Sequence, residues 1–321
     1  MTVASQRRPA SPGPVPSPGR RLGRWVARGG PTALGLQLAE LVADRVPVPV
    51  RYGLADLGGW AAYHLLSDRA AVTRANFRAV LGPGRPPQVV DQVARRAFQN
   101  YGRTVVDFLV LEQLVADLRR RGALTGADHL EAALAEGCGA LLVSAHFGSW
   151  DLGAASAALT GHPVHTLADP FGPPAVDERV RRARERLGVH VLDPGPAGVR
   201  AALRVLRRNE ILALAADLDP GTGGVVVPFF GRPAAIPAGP AALALRTGAP
   251  IVAGYIWRDR DGRYQGIVEP PIRPDATADR AAETERLTAA VVASFERVIR
   301  RAPDQWSIFR PIWRAAAEAV G

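Results

Sequence analysis

The residues with the clearest potential for chemistry lie in one short segment, SAHFGSWD, at positions 144–151. His146 follows the apolar run 139–143 closely, and Asp151 comes five residues later. If the run is a strand and Asp151 lies in the first turn of the next helix, the imidazole and the carboxylate come within reach of each other. A neutral imidazole accepts a hydroxyl proton near pH 7, and a carboxylate on its other nitrogen fixes the tautomer. The two residues therefore form a candidate catalytic dyad.

The hydroxyl that such a dyad activates is expected to belong to the substrate. Ser149 lies in HFGSWD, outside the G-x-S-x-G frame that exposes a nucleophilic serine on a strand-to-helix turn. A structural interpretation also remains open, because an aspartate at a helix start beside a histidine with satisfied hydrogen bonds has the same spacing. The spacing alone does not decide between these two interpretations.

The elements that must position these residues alternate between helix and strand beyond Ser67. Helical periodicity is clear in 88–120, 173–188, 198–210 and 279–303. The predicted strands are GALLVSAH, PVHTLAD, HVLDP, ILALAAD, VVVPFF, PIVAGYIWR and RYQGIVEPP. This order predicts an α/β fold with a mixed central sheet flanked by helices, and with functional groups on the loops at the strand ends. His146, Asp169 and Asp217 each follow a predicted strand, although an ordinary turn equally explains Asp217.

A second informative segment is PFFGRPAAIPAGP at 228–240. Phe229 and Phe230 supply large apolar faces, and the prolines favour a fixed loop. The residues 237–240 are expected to begin a helix whose free N–H groups suit a phosphate or an oxyanion. Arg232 lies beside this loop and is the first choice for a phosphate contact, ahead of Arg184 and then Arg246. A solvated arginine is the alternative at each position.

Several motifs in sequence order resemble the lysophospholipid acyltransferase superfamily, in the branch of bacterial lipid A late acyltransferases and phosphatidylinositol mannoside acyltransferases. They are RANFRAVLG, RRAFQNYGRTVVDFL, HFGSWD, the ADLD run, PFFGRPAAIPAGPAALALRTGAP and PDQWSIFRPIW. In this family the histidine of H-x4-D/E is taken as the general base and the acidic residue as its partner. The resemblance gives those roles to His146 and Asp151, and it marks Arg184 as a retained arginine and Asp169 as a site position that keeps a carboxylate.

The resemblance implies acyl transfer from an acyl thioester, either acyl-CoA or acyl-carrier protein, to a hydroxyl of a glycolipid or lysophospholipid. A phosphatidylinositol-mannoside-type acceptor is the first expectation, with no bound cofactor and no metal. Two departures stand out: Val226 replaces a glutamate of the mannoside enzymes, and Asp169 replaces another glutamate. The Val226 departure leaves open an acyltransferase acting on a natural-product acceptor. A non-catalytic lipid-binding protein is the third interpretation.

The net charge of the chain indicates which classes of binding partner are expected. Lys and Arg number 40 against 30 Asp and Glu, for a formal net charge of +10, and nearly all the cations are arginine. Such a surface attracts anionic lipid or nucleic acid, although a biased coding composition explains the charge equally well. The absence of nucleic-acid-binding motifs favours lipid. The single cysteine, Cys138, is expected to be a buried filler, and oligomeric state is not predicted.

Residues 1–31 are expected to be a disordered basic tail, because they are too rich in Pro, Ser, Gly and Arg to bury a core. Residues 32–321 are expected to form one acyltransferase domain. Within it, LGLQLAELVADRV and GLADLGGWAAYHLL predict two amphipathic helices separated by PVPVRYG, each too short to span a bilayer. They are expected either to lie in the membrane interface or to be ordinary core helices. The enzyme would then be peripheral, on the cytoplasmic face of the cell membrane.

Overall fold

The computed structural model of the chain describes residues 30–43, 45–219, 221 and 224–313. The predicted tail, except for its last two residues, therefore lies outside the described residues. The helices are α1 (Gly30–Ala43), α2 (Val48–Leu65), α3 (Ser67–Leu81), α4 (Pro87–Phe108), α5 (Leu111–Arg121), α6 (Ala127–Leu134), α7 (Trp150–Ala157), α8 (Pro174–Arg186), α9 (Pro196–Arg207), α10 (Gly239–Thr247) and α11 (Arg280–Arg301). The strands are β1 (Leu124–Thr125), β2 (Ala140–Ser144), β3 (Val164–Leu167), β4 (Val189–Leu192), β5 (Ile211–Ala215), β6 (Val225–Phe229), β7 (Arg232–Ile236), β8 (Ile251–Arg258) and β9 (Tyr264–Val268).

The predicted mixed sheet flanked by helices is confirmed. Seven strands pair in the order β1-β9-β8-β2-β5-β3-β4, and every pair is parallel except the β8–β9 hairpin. Strand β2 reads as a continuous apolar run, as expected for a strand covered on both faces. Alternate residues of β2 point to the two helical layers that cover the faces of the sheet. Leu141 and Val143 pack with α9, α10 and α11, whereas Leu142 packs with α6 and α7.

Strand order brings two loops together at one edge of the sheet. Strands β2 and β5 are parallel neighbours, and Ser144 pairs with Ala215 at their carboxyl ends. The residues that follow β2 and β5 therefore leave the sheet side by side. His146 and Asp217 each lie two residues beyond this last pair. The topological position is the one at which open α/β sheets carry their sites.

Two details differ from the sequence prediction. The break predicted over PVPVRYG is wrong, because α2 begins at Val48 and contains most of that segment. Pro49 is tolerated there because the first-turn amides of a helix have no carbonyl partner to lose. The segment after Gly231 is also a strand and not a loop. Strand β7 pairs with β6 in a separate two-stranded ribbon, in which Pro233 lies opposite Pro228.

The helices α1 and α2 expose a row of large apolar side chains. The exposed residues are Leu34, Leu38, Val48, Val50, Leu54, Leu57, Trp60 and Leu65. The inward side of α2 packs on α4, and its buried Tyr63 forms an edge contact with Phe98. Within the described part of the chain, no helix combines the length and the apolar content that crossing a bilayer requires.

Candidate active site

His146 is held by a buried carboxylate, and that carboxylate is Asp217. The Nδ1 atom of His146 lies 2.6 Å from Oδ1 of Asp217, and the His146 backbone N–H donates to Oδ2 at 2.9 Å. Asp217 is fully buried. Because an ionised carboxylate only accepts hydrogen bonds, the proton of the neutral imidazole lies on Nδ1 and the lone pair lies on Nε2. His146 thus has the tautomer that a general base needs.

The predicted pairing of His146 with Asp151 is wrong in this structure. Asp151 lies in the first turn of α7, as expected, but its Oδ1 accepts a hydrogen bond from Nε of Arg184 at 2.8 Å. The reason is competition for one atom, since Asp217 already occupies Nδ1 of His146. Asp151 and Arg184 still line the same cavity as His146. A catalytic or binding role for Asp151 therefore stays a prediction.

Opposing influences set the protonation of the pair. Burial on its own lowers the pKa of His146, but the charge of Asp217 and the hydrogen bond to it outweigh burial and hold the pKa above the ordinary 6.5. Burial likewise raises the pKa of Asp217, and the facing imidazole with the hydrogen bonds from Trp306 and His146 brings it below the ordinary 3.8. Both shifts favour an ionised carboxylate beside the histidine. The arrangement stabilises the imidazolium that forms when His146 accepts a proton.

The C-terminal segment completes the site. The Trp306 indole N–H donates to Oδ2 of Asp217 at 2.8 Å. Around it, Ser307 N–H donates to the His146 carbonyl at 2.8 Å, and Gly148 N–H donates to the Gln305 carbonyl at 2.9 Å. These bonds make a short antiparallel bridge between residues 146–148 and residues 305–307. The buried carboxylate therefore accepts three hydrogen bonds and is fixed from two directions.

Gly148 is required by the turn that presents His146. Its φ is +60°, a backbone conformation that side chains disfavour. A Cβ at this position would lie 1.9 Å from the Ile256 carbonyl oxygen. The same carbonyl accepts a hydrogen bond from Ser149 N–H at 2.9 Å. The sequence HFGSWD thus combines a strand end, a glycine-dependent turn and a helix start.

His146 opens into a cavity of about 930 Å³. One part lies between the sheet and the helices α6 and α7, with Leu130, Leu142 and Ile256 among its walls. Tyr101 and Asp169 also line the cavity, and the predicted role of Asp169 in binding substrate stays a prediction. The apolar character of most of the cavity wall suits a hydrocarbon chain.

Three residues predicted to bind substrate lie away from this cavity. Phe229 is fully buried in the core against Trp306, with ring centroids 5.8 Å apart. Phe230 is held between the Glu296 carboxylate, which accepts its N–H, and the Arg300 guanidinium. Arg232 is exposed at the start of β7 and does not line the cavity. The β6–β7 ribbon, which was not predicted, carries these side chains outward or into the core.

Sequence reasoning missed two residues at the site. Trp306 belongs to the PDQWSIFRPIW motif, but nothing local to that motif indicates that its indole reaches Asp217. Arg310 lines the cavity and lies near enough to His146 for its charge to act on the imidazole. Asn76 fixes the Arg310 backbone, because its amide N–H donates to the Arg310 carbonyl at 2.8 Å. Among the described residues, none pairs with the Arg310 guanidinium.

Among the residues that the structure describes, no three His, Cys, Asp or Glu side chains cluster so that they could hold an ion.

A partly exposed imidazole, oriented by a buried carboxylate at the wall of a large apolar cavity, suits an enzyme that activates a hydroxyl next to a lipid chain. The profile of the bacterial lipid A biosynthesis acyltransferase family matches residues 31–315, and the chain belongs to that family. It is an O-acyltransferase.

Three curated relatives agree with this assignment. The chain is 34% identical over 251 residues to the phosphatidylinositol mannoside acyltransferase of Mycobacterium tuberculosis, covering 75% of this chain and 76% of the relative. It is 30% identical over 301 residues to the phosphatidylinositol mannoside acyltransferase of Mycolicibacterium smegmatis, covering 91% and 95%. It is 27% identical over 298 residues to the lipid A biosynthesis lauroyltransferase of Escherichia coli, covering 90% and 93%.

Proposed function

We propose that this acyltransferase moves a fatty acyl group from an acyl thioester to a hydroxyl of a phosphatidylinositol-mannoside-type glycolipid. The observation that carries the mechanism is the Asp217-held His146 at the wall of an apolar cavity. The acceptor class rests on the two mycobacterial relatives, which are named for that lipid.

In the proposed reaction, Nε2 of His146 accepts the proton of the acceptor hydroxyl. The hydroxyl oxygen forms a bond to the thioester carbonyl carbon, and the C–S bond then breaks. The proton returns from His146 to the thiolate, so that a free thiol and an ester are the products. Asp217 stays ionised throughout and stabilises the transient imidazolium.

The donor is proposed to place its hydrocarbon chain between the sheet and the helices α6 and α7. Leu130, Leu142 and Ile256 offer apolar contact there, and His146 lies on the wall of the same cavity. Burying a chain in such a site contributes about 0.8 kcal/mol per CH₂ group. Long-chain donors are therefore expected to have lower KM values than short-chain donors.

Contact with the membrane surface is proposed for α1 and α2. Leu54 and Leu57 are 64% and 61% exposed, and Trp60 is 46% exposed on the same helix. Exposed apolar side chains with an aromatic residue suit the interfacial layer of a bilayer. Leu36 of α1 also lines the cavity, so this surface adjoins the route by which a lipid acceptor would enter. The location would be peripheral, at the cytoplasmic face of the cell membrane.

The test is thiol release from palmitoyl-CoA in mixed micelles with and without purified phosphatidylinositol mannosides, followed by mass analysis of the lipids. Wild-type protein is expected to add a palmitoyl group to the mannoside. His146→Ala is expected to be inactive, whereas His190→Ala, which alters an exposed histidine outside the cavity wall, retains activity.

Each result bears on a different part of the proposal. Acyl transfer to another lipid would refute the mannoside acceptor and leave the mechanism intact. Full activity of His146→Ala would refute the mechanism. A wild-type protein that releases no thiol from either an acyl-CoA or an acyl-carrier protein would refute both.

A further inference from the structure

The C-terminal segment 304–307 is joined to β8 through one side chain, that of Gln305. Its amide oxygen accepts the main-chain N–H of Arg258 at 2.9 Å, and its NH₂ group donates to the Arg258 carbonyl at 2.6 Å. Gln305 is buried, with 7% of its surface exposed. A primary amide has the donor and the acceptor of a peptide group, so the Gln305 side chain pairs with β8 as a neighbouring strand would.

This pairing occurs where β8 runs past the end of β2. Strand β2 pairs with β8 as far as Ala253, whereas β9 continues to pair with β8 as far as Arg258. Beyond the end of β2, Ser149 N–H donates to the Ile256 carbonyl, and the Gln305 amide follows two residues later at Arg258. The Gln305 side chain therefore shares one edge of β8 with the turn that follows β2.

The residues next to Gln305 in the chain hold the candidate base and its carboxylate. The Trp306 indole N–H donates to Asp217 at 2.8 Å, and Ser307 N–H donates to the His146 carbonyl at 2.8 Å. A displacement of the main chain at position 305 would therefore reach both members of the pair.

Few hydrogen bonds join segment 304–307 to elements outside the site. Among the residues that the structure describes, Asn100 of α4 makes one of them, by donating to the Asp304 carbonyl at 2.8 Å. The other two are the bonds of the Gln305 side chain to Arg258. Removing the Gln305 amide thus removes most of the polar anchorage of the segment.

We propose that Gln305 is a positioning residue of the acyl transfer: its amide fixes Trp306 against Asp217, and Asp217 in turn orients the His146 imidazole. The inference rests on the proposed function, because it concerns the same base. Gln305 does not line the cavity, so it acts on the rate of the chemical step and not on substrate binding. It touches neither the donor nor the acceptor.

The first test is Gln305→Met, which keeps the length of the side chain and removes both bonds to Arg258. We expect kcat for thiol release from palmitoyl-CoA to fall by about 10–100-fold, because a small misplacement of the reacting groups costs a factor of that size. KM is expected to stay the same. The matched control is Gln265→Met, which removes a side-chain bond to Asp259 in the same β8–β9 hairpin and leaves the cavity wall unchanged. It is expected to retain the wild-type kcat.

A second variant, Gln305→Glu, separates positioning from packing. The ionised carboxylate still accepts Arg258 N–H but has no proton to donate to the Arg258 carbonyl, whereas the protonated form makes both bonds. The Arg258 guanidinium is already paired with Asp107, and burial raises the pKa of the new carboxyl. The ratio of kcat between Gln305→Glu and wild type is therefore expected to rise as the pH is lowered, with no such recovery in Gln305→Met. This ratio also carries the test if Gln305→Met does not fold.

A measurement without turnover separates this inference from the proposed function. The indole N–H resonance of Trp306 in ¹⁵N-labelled protein is the one that Trp306→Phe removes. We expect Gln305→Met to shift that resonance and Gln265→Met to leave it in place. A shifted resonance in a protein that transfers no acyl group would refute the proposed function and leave the link from Gln305 to Asp217 standing.

Three results would overturn the inference while acyl transfer itself stands. They are a wild-type kcat in Gln305→Met, a rise in KM with kcat unchanged, and a loss of kcat with the Trp306 resonance unmoved. A kcat ratio for Gln305→Glu that does not change with pH would equally count against a role for the amide donor.

Discussion

Replacing Asp217 with asparagine separates the role of its charge from the role of its shape. The carboxylate accepts three hydrogen bonds, two of them on Oδ2 from His146 N–H and Trp306 Nε1–H. The amide oxygen of asparagine satisfies those two donors best when it takes the Oδ2 position. Its NH₂ group then faces Nδ1 of His146, which must become an acceptor. The imidazole proton moves to Nε2, and the lone pair that would receive the substrate proton is lost.

The expected cost follows from losing a correctly oriented base. General-base catalysis contributes about 10²–10⁴-fold in rate. At about 1.4 kcal/mol for each factor of ten, this corresponds to about 3–5.5 kcal/mol of activation free energy. Asp217→Asn is therefore expected to lower kcat by that factor while the protein remains folded, because two of the three hydrogen bonds persist. Initial rates of thiol release measure kcat, and circular dichroism checks that the variant is folded.

Asp151→Asn is the matched comparison, because it makes the same chemical change in the same cavity. It weakens the contact with Arg184 and leaves Nδ1 of His146 bonded to Asp217. We expect a much smaller loss of kcat, and the effect is expected mainly on KM. If Asp151→Asn were inactive and Asp217→Asn retained more than half of the wild-type rate, the assignment of Asp217 as the orienting carboxylate would be refuted.

The Asp217→Asn variant is also expected to differ from wild type in the pH dependence of kcat. The neutral imidazole is the active form, so kcat falls as the pH drops through the pKa of His146, which lies above 6.5. In Asp217→Asn, burial still lowers the pKa of His146, but the negative charge that opposed it is gone. The residual activity of the variant is therefore expected to show its acidic limb at lower pH than wild type. An acidic limb that stays in place would mean that the limb reports another group.

Three further results are expected. Gly148→Ala forces a Cβ against a main-chain carbonyl at positive φ and should destabilise the protein by about 1–3 kcal/mol in thermal unfolding. Gly153→Ala places no atom within 4 Å of the new Cβ and should not destabilise it. Trp306→Phe removes one donor to the buried Asp217 carboxylate and should cost about 1.5–3 kcal/mol in denaturant unfolding, and an unchanged midpoint would contradict the bond. Arg310→Gln removes a cation that lowers the pKa of His146, so the acidic limb of the rate profile should move to higher pH, opposite to its movement in Asp217→Asn.

The main strands and the position of His146 at a strand end could be predicted from sequence because their signals are local. Seven predicted strands have counterparts in the structure, and His146 follows one of them. Strand β7 was not predicted, because proline is rare in sheet interiors and Pro233 therefore indicated a loop. In a two-stranded ribbon every residue is on an edge strand, so Pro233 is tolerated opposite Pro228. Tertiary context, and not local propensity, decides that element.

The partner of His146 could not be fixed because it depends on strand order. The predicted strands GALLVSAH and ILALAAD end with the sites of His146 and Asp217, so the sequence contained both residues in equivalent positions. Only the adjacency of β2 and β5 makes them neighbours, and residues 71 positions apart give no spacing signal. Asp151 has a spacing signal, five residues after His146, and it lines the cavity. Its carboxylate nevertheless accepts from Arg184, and Nδ1 of His146 is bonded to Asp217.

The structure also reorders the arginines by their availability to an anionic substrate group. Arg232 lies outside the cavity, and Arg184 faces the Asp151 carboxylate, so a phosphate would have to compete for it. Arg310 lines the cavity near His146 and has no acidic partner among the described residues. Arg310 is therefore more available to a phosphate at the cavity wall than Arg232 or Arg184, the first two choices from the sequence, while Arg246, the third choice, also lines the cavity and has no partner among the described residues.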